Sequence, residues 1–329
     1  MNLKQQITRR RGLMKWTRAS AVRAGVLLGS ELVSALAQPA EASGQDCAEV
    51  AQSQLKACRS SALDDYWVAI ATCDNDAAED PHGACPKAAS QNLTAARADC
   101  DDQLDARRDI CDQLGAGKYN PVIKPSNFSH STSITNPYFP LKPGTTFIYE
   151  GNTADGLERD EFQVTRKTHT FLGVKCVEVH DKVSVDGELT EDTLDWFAQD
   201  KAGNVWYFGE ESKQLEDGIV IGIEGSWQAG VDGAKPGIVM EANPQVGDVY
   251  RQEYKISDAE DMAEVIPPHP EQTISVHGKT YKKVLVTHEF SGLEPSANER
   301  KFYMPGVGNV LTIDDETGDR SELVRITTP

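Results

Sequence analysis

The chain has 329 residues, with 51 Asp and Glu against 33 Lys and Arg, a formal net charge of −18. Length alone allows more than one domain and a sizeable core. Such an acidic surface repels phosphate backbones and anionic membranes, which excludes nucleic-acid binding and leaves cationic partners electrostatically permitted.

The first 42 residues run against that balance, with seven Lys and Arg against two Asp and Glu, so the remainder carries −23. Arg10-Arg11-Gly12-Leu13-Met14-Lys15 resembles a twin-arginine export signal. Ala21 to Ala37 is a modest apolar stretch, broken by Arg23 and Glu31, and too weak for a membrane span. Ala35-Leu36-Ala37 and Ala40-Glu41-Ala42 offer small-x-small cleavage sites. No lipoprotein box precedes Cys47. The reading is a signal over 1–42 and a periplasmic or secreted mature protein that is not integral to a membrane.

Residues 43–114 carry six of the seven cysteines. Cys47 with Cys111, Cys58 with Cys100 and Cys73 with Cys85 each sum to 158, the numbering of an antiparallel hairpin folded near residue 79. Eleven residues separate Cys47 from Cys58, and Cys100 from Cys111. That is close to three helical turns and puts each pair on one helix face. The spacing predicts two helices stapled by three nested disulfides, with Cys176 free. Two helices alone bury little core, so the staples have a structural purpose. No Cys-x-x-Cys pattern occurs, which argues against zinc or redox chemistry.

Residues 115–144 hold Asn120-Pro121, Lys124-Pro125, Asn136-Pro137, Phe139-Pro140 and Lys142-Pro143-Gly144, a linker that cannot be a long helix. Tyr138, Phe139 and Leu141 are apolar enough for it to lie along the C-terminal domain.

From 145 to 329 short β-prone runs alternate with tight turns. Val174 to Val185 and Leu189 to Gln199 flank Asp186-Gly187, a two-residue hairpin turn, and Asp217-Gly218 marks another. Further runs are Val205–Phe208, Val249–Ile256, Thr273–Val276, Lys282–Phe290, Arg300–Tyr303, Val310–Ile313 and Ser321–Thr327. These predict one antiparallel meander, forming a curved sheet, partial barrel or sandwich. The fold class is α+β, a stapled helical hairpin followed by an antiparallel β domain.

Asn136-Pro137-Tyr138-Phe139-Pro140-Leu141, Asp195-Trp196-Phe197-Ala198-Gln199-Asp200, Gly225-Ser226-Trp227-Gln228-Ala229-Gly230 and Tyr303-Met304-Pro305-Gly306-Val307-Gly308 resemble an uncharacterised family of bacterial exported β-rich proteins over about residues 136–315. The last motif is similar to the closing strands of lipoprotein-carrier-like half-barrels, which implies a concave sheet able to hold an acyl chain. The family transfers no activity and no catalytic residues.

Candidate chemistry is sparse. His180 and His288 each lie beside carboxylates and could act as acid and base. No phosphate loop, His-Glu-x-x-His or Gly-x-Ser-x-Gly pattern joins them. Trp196, Trp206 and Trp227, with Glu178, His180 and His288, are candidates to line a ligand site. The acidic run Asp181, Asp186, Glu188, Glu191, Asp192 and Asp195 could hold a cation, although alternating carboxylates on a solvent face explain it as well. The leading reading is a non-catalytic module binding a small apolar ligand or a cationic partner, without cofactor or metal. The alternatives are a hydrolase using His180 or His288, and a structural or cation-binding envelope protein.

Overall fold

A computed structural model describes residues 46–75, 83–267 and 273–329. The export signal expected over 1–42, and residues 76–82 and 268–272, lie outside the described residues.

Helices α1 (Asp46–Asn75) and α2 (Ala84–Leu114) form the antiparallel hairpin. Cys47–Cys111, Cys58–Cys100 and Cys73–Cys85 are bridged with Cα separations of 5.8, 5.8 and 5.7 Å, and Cys176 is free and buried. The interface is thin, with Ala51, Leu55, Cys100 and Leu104 at its centre. Leu63, Trp67 and Val68 stay exposed, because two helices have no third layer to cover them. The covalent links replace a core that is too small to hold the pair.

Seventeen strands follow among the described residues: β1 (Thr146–Thr153), β2 (Gly156–Phe171), β3 (Val174–Val185), β4 (Glu188–Gln199), β5 (Val205–Glu216), β6 (Ile219–Gly222), β7 (Trp227–Gln228), β8 (Lys235–Met240), β9 (Val249–Arg251), β10 (Glu253–Tyr254), β11 (Asp261–Ile266), β12 (Thr273–Val276), β13 (Lys279–Lys282), β14 (Leu285–Ser291), β15 (Asn298–Met304), β16 (Gly308–Asp314) and β17 (Arg320–Thr327). Fifteen belong to one antiparallel sheet, ordered β10-β8-β5-β4-β3-β2-β1-β17-β16-β15-β14-β11-β9 with β6 and β7 beside β5. First and last strands pair, Thr146 opposite Thr327. The two ends of the order, β9 and β10, are consecutive pieces of one segment. Gln252 between them donates its N–H to Asp261 O, and Glu253 pairs with Pro236. The sheet therefore returns on itself as an up-and-down barrel with its seam at Gln252. Closure removes the unpaired edges that an open sheet would expose.

Local chemistry sets the turns. Asp186 and Gly187 have φ of 51° and 89°, and Asp217 and Gly218 have 53° and 74°. Both are two-residue hairpins of the mirror-image type that matches strand twist. The β12–β13 hairpin folds over the outside of the wall, where Val276 joins Val286, Phe302 and Leu311 in one cluster.

One end of the barrel is apolar. Phe147, Val164, Val177, Val179 and Phe197 pack there with Ile134 and Leu141 from the linker. Asn136 fixes the linker, donating from its amide to Gly203 O and Glu241 O, while Gln199 Oε1 accepts from the N–H groups of Thr135 and Asn136. The linker thus plugs that end instead of running free. Further out, Phe128, Val174, Cys176, Trp196 and Phe208 form a second cluster between the linker and the outer wall.

The hairpin docks at the opposite end. Glu260, in the turn before β11, accepts from Arg107 Nε at 2.7 Å and Nη2 at 3.1 Å, from Gln54 and from the N–H of Ser257. Gly292 makes the approach possible, since a Cβ there would sit 3.0 Å from Arg107 and 3.2 Å from Ile110.

Candidate functional site: an acidic barrel interior

Strand alternation and register fix which side chains face inward. Phe147 and Phe162 pair in the apolar end, so Tyr149 and Asp160, two residues on, face the same way. Val179 carries that face to Asp195, and Asp181 carries it to Thr193. Asp195 then pairs with Glu210, and Thr193 with Ser212. On the far wall Lys301 pairs with Thr287, and Glu289 with Ala263 and Glu299. The interior thus changes character along its axis, from aromatic and aliphatic at the plugged end to carboxylate at the other.

The two walls see each other. Lys301 on β15 acts electrostatically on Asp181 of β3, five steps away around the sheet, and Asp261 of β11 acts on Glu210 of β5. Lys301 and Asp181 meet across the interior, while Asp261 and Glu210 approach around the seam, on either side of Glu253. Asp261 keeps an exposed side chain, yet surrounding protein pushes its carboxyl up to about 6.

The carboxyls are shifted in a consistent direction. Burial raises Asp160 well above the usual range, and Asp181 beside it adds to the effect; burial raises Asp181 too. Asp195 is raised by burial and by Glu210, although the Tyr207 hydroxyl donates to it and pulls the other way. Glu210 is pushed to about 8 by burial and then by Glu191. Glu253 is raised by burial and Asp261, while the Trp227 indole donates to it at 2.7 Å. Carboxylates crowded away from water hold protons because no cation balances them.

Lys301, paired with Thr287 and Thr312, is the cation that the register sets among the inner carboxylates. It lies 2.7 Å from Glu289 and 3.6 Å from Glu299. Burial works against its charge, but those two carboxylates outweigh it and hold its pKa above the ordinary lysine value. Thr287 and Tyr303 also donate to Glu289, completing a satisfied set on that wall. Opposite, Asp160 and Asp181 share a side-chain hydrogen bond, while the hydroxyl of Tyr250 is buried without a partner. Tyr250 is 6% exposed and faces inward through its pairing with Ala263.

The residues singled out from sequence are not brought together. Trp196 packs outside the wall against His169 and Phe171, and Trp206 binds Asp200 and meets Phe128 there. Of the three tryptophans, Trp227 alone borders the acidic interior, through Glu253 and an edge contact to Tyr207. Glu178 faces outward. Burial opposes its charge, but His169, Thr165 and Lys167 hold its carboxyl below the usual range. His180 bonds Asp192 on the outer face at 2.9 Å. His288 lies six strands away around the wall, on Asn298 and stacked over Phe290. The acidic run on β3 and β4 splits by alternation. Asp192 turns outward, while Asp181, Glu191 and Asp195 turn inward, so a solvent face does not describe them. Sequence reasoning missed Asp160, Glu210, Glu253 and Lys301, which lie far apart in the chain and meet only through closure.

An outer groove of about 420 Å³ lies between Glu150, His277, Arg320 and Glu322. Its charges are already matched, Arg320 with Glu322 and Arg159 with Glu150, so it offers little unspent polarity. Among the described residues no group of three His, Cys, Asp or Glu is arranged to hold a metal ion. None of the described helices is long and apolar enough to cross a membrane.

No family model matches the chain, and no curated protein does. Among solved structures, a protein of Parabacteroides distasonis described as a "putative lipoprotein" is similar over 58% of this chain and 98% of its own, at 11% identity and a TM-score of 0.30. A likeness at that score decides neither fold nor function.

Proposed function

We propose that this is an exported, non-catalytic ligand-binding barrel that takes a small molecule in the open, polar half of its interior. One observation carries the reading. The inner face combines water-accessible carboxyls with the buried, unpartnered hydroxyl of Tyr250, above a floor sealed by the linker. A purely structural barrel would fill that space with matched side chains. Three disulfides support an oxidising, exported setting, periplasmic or secreted. The hydrolase reading has little to build on, since His180 and His288 stand on distant outer faces.

The test is native mass spectrometry of protein recovered from the cell that exports it, beside a Ser212→Trp variant that fills the interior. The expected result is a retained small molecule released by denaturation and absent from the variant. An empty protein that gains no thermal stability from an extract of those cells would overturn the reading.

A further inference from the structure

We infer that the outer face of the seam carries a second site, separate from the interior, at which the Arg251 guanidinium binds the carboxylate of a small organic acid. Arg251 on β9 follows the inward Tyr250, so alternation turns it outward, toward α2 of the docked hairpin. Its Cζ lies 4.7 Å from the centre of the Tyr254 ring and 5.5 Å from that of Tyr119. The two rings meet edge to face, 5.3 Å apart, and form a corner that holds the guanidinium. Ring faces attract a cation but accept none of the N–H bonds that lie in its plane. Among the described residues no oxygen accepts from any nitrogen of Arg251, and Nε is sealed from water without a partner. A rigid fork of donors is therefore fixed in place and unspent.

An arginine alone would not make a site, because water satisfies an exposed one such as Arg325 on β17. Arg251 is partly buried instead. Burial pulls its pKa below the ordinary arginine value, and Arg107 pushes the same way. Glu260 acts in the opposite sense, but its oxygens already serve Arg107, Gln54 and the Ser257 N–H. Two guanidiniums share one carboxylate there, and one further negative charge balances the junction. The walls are rigid as well. Lys235, opposite Tyr254 in the ladder, donates its ammonium to Tyr119 O, and the Tyr119 hydroxyl donates to Pro236 O at 2.8 Å. Tyr119 is thus pinned at its backbone and at its ring tip, so the corner stands before a ligand arrives. Burial lowers the pKa of Lys235 too, which marks a second cation held partly out of water on this face.

The arrangement selects a carboxylate among anions. A planar fork matches two coplanar oxygens, and a single charge is what balances the junction. A phosphate dianion brings more charge than one free guanidinium answers. The rings of Tyr119 and Tyr254 beside the fork favour an acid carried on an aromatic or apolar body, since a bare ion would leave them unused.

The experiment titrates the full disulfide-intact chain with sodium benzoate and, separately, with inorganic phosphate and with benzamide, which has nearly the same shape without the charge. Calorimetry reads affinity, and proton–nitrogen NMR reads the Arg251 Nε–H signal. Benzoate is expected to bind one per chain, to shift that signal, and to bind about tenfold tighter than either other probe. Arg251→Gln should weaken it about tenfold, and Arg251→Lys, which keeps the charge but loses the fork, should not restore it. The exposed Arg325→Gln and the interior-filling Ser212→Trp should leave it unchanged. Where Arg251→Gln fails to fold, phenylglyoxal labelling of the wild type replaces it, and benzoate should protect the Arg251 peptide but not that of Arg325. Equal binding by benzamide would overturn recognition of charge, and tighter binding by phosphate would overturn the carboxylate. No binding by benzoate, or an equal loss in Arg325→Gln, would overturn the site. Loss in Ser212→Trp with Arg251→Gln unaffected would put the acid inside the barrel, overturning this inference while supporting the interior reading.

Discussion

Glu260 shows how much one side chain organises. Its two oxygens receive the Arg107 guanidinium in a fork, the Gln54 amide and a backbone N–H, all in a nearly dry site. A buried pair of this kind is costly to break from one side, because the survivor keeps an uncompensated charge. Arg107→Ala is expected to cost about 3–5 kcal/mol, read as a lower urea midpoint for the docked hairpin. A variant within about 1 kcal/mol of wild type would show that water reaches Glu260. The inner carboxyls work in the opposite sense. Asp160, Asp195, Glu210 and Asp261 all have folded pKa values above their unfolded ones. A raised carboxyl contributes stability that is complete below about pH 4 and is lost as pH rises through its folded value. Asp261 therefore loses its share near pH 6 and Glu210 near pH 8. Stability of the empty barrel should fall between about pH 5 and pH 8 by on the order of a few kcal/mol. Urea midpoints across that range check it, and a midpoint that rises steadily to pH 8 would contradict the enclosed interior.

At the scale of elements, the helical hairpin was fully legible because its information is local. Cysteine spacing fixes helix phase, and symmetric numbering fixes pairing. Its stability is covalent for the same reason that it was legible, since its sparse apolar positions leave it a thin interface. Replacing Cys58 and Cys100 together by serine should destabilise the hairpin by about 2–4 kcal/mol and leave the strands intact. Far-ultraviolet circular dichroism would show helix melting ahead of the sheet, and a single shared transition would mean that docking at Glu260 couples them. Strands were legible where β-branched runs met an Asp-Gly turn, as at β3 and β4. They were lost where composition argued otherwise. β8 contains Pro236 and Gly237, two residues that weaken a strand, yet at the seam Gly237 is required, since a Cβ there would sit within 2.5 Å of the backbone of Arg251 and Gln252. β11 reads as helix-prone through Met262, Ala263 and Glu264, and its pairing on both sides overrides that preference.

For the whole molecule, closure decides everything that the sequence left open. A meander is visible as a string of strands, but whether its first and last members meet depends on twist accumulated around the sheet. The same step converts scattered acids into one interior, because Asp160 and Lys301 are 141 positions apart and face each other only in a closed wall. That is why, Trp227 apart, the candidate ligand-lining residues read from sequence fell on the outer face. Tryptophans and histidines stand out in a chain, whereas an aspartate that alternates inward looks like any surface acid until the wall closes. Closure also protects. Removing residues 320–329 deletes β17, leaving β1 and β16 as long unpaired edges beside the exposed end of Leu141 and Phe147. Exposed edges of this length template further pairing. The shortened chain is expected to keep its three disulfides, since the hairpin shares no strand with the seam, and yet to associate at micromolar concentration. Light scattering with non-reduced peptide mapping checks both halves of that statement. A monomer retaining the inner-face protection of Asp195 from carbodiimide would show that the sheet holds its curvature without the β1–β17 pairing, and that the interior is shaped by the linker plug rather than by closure.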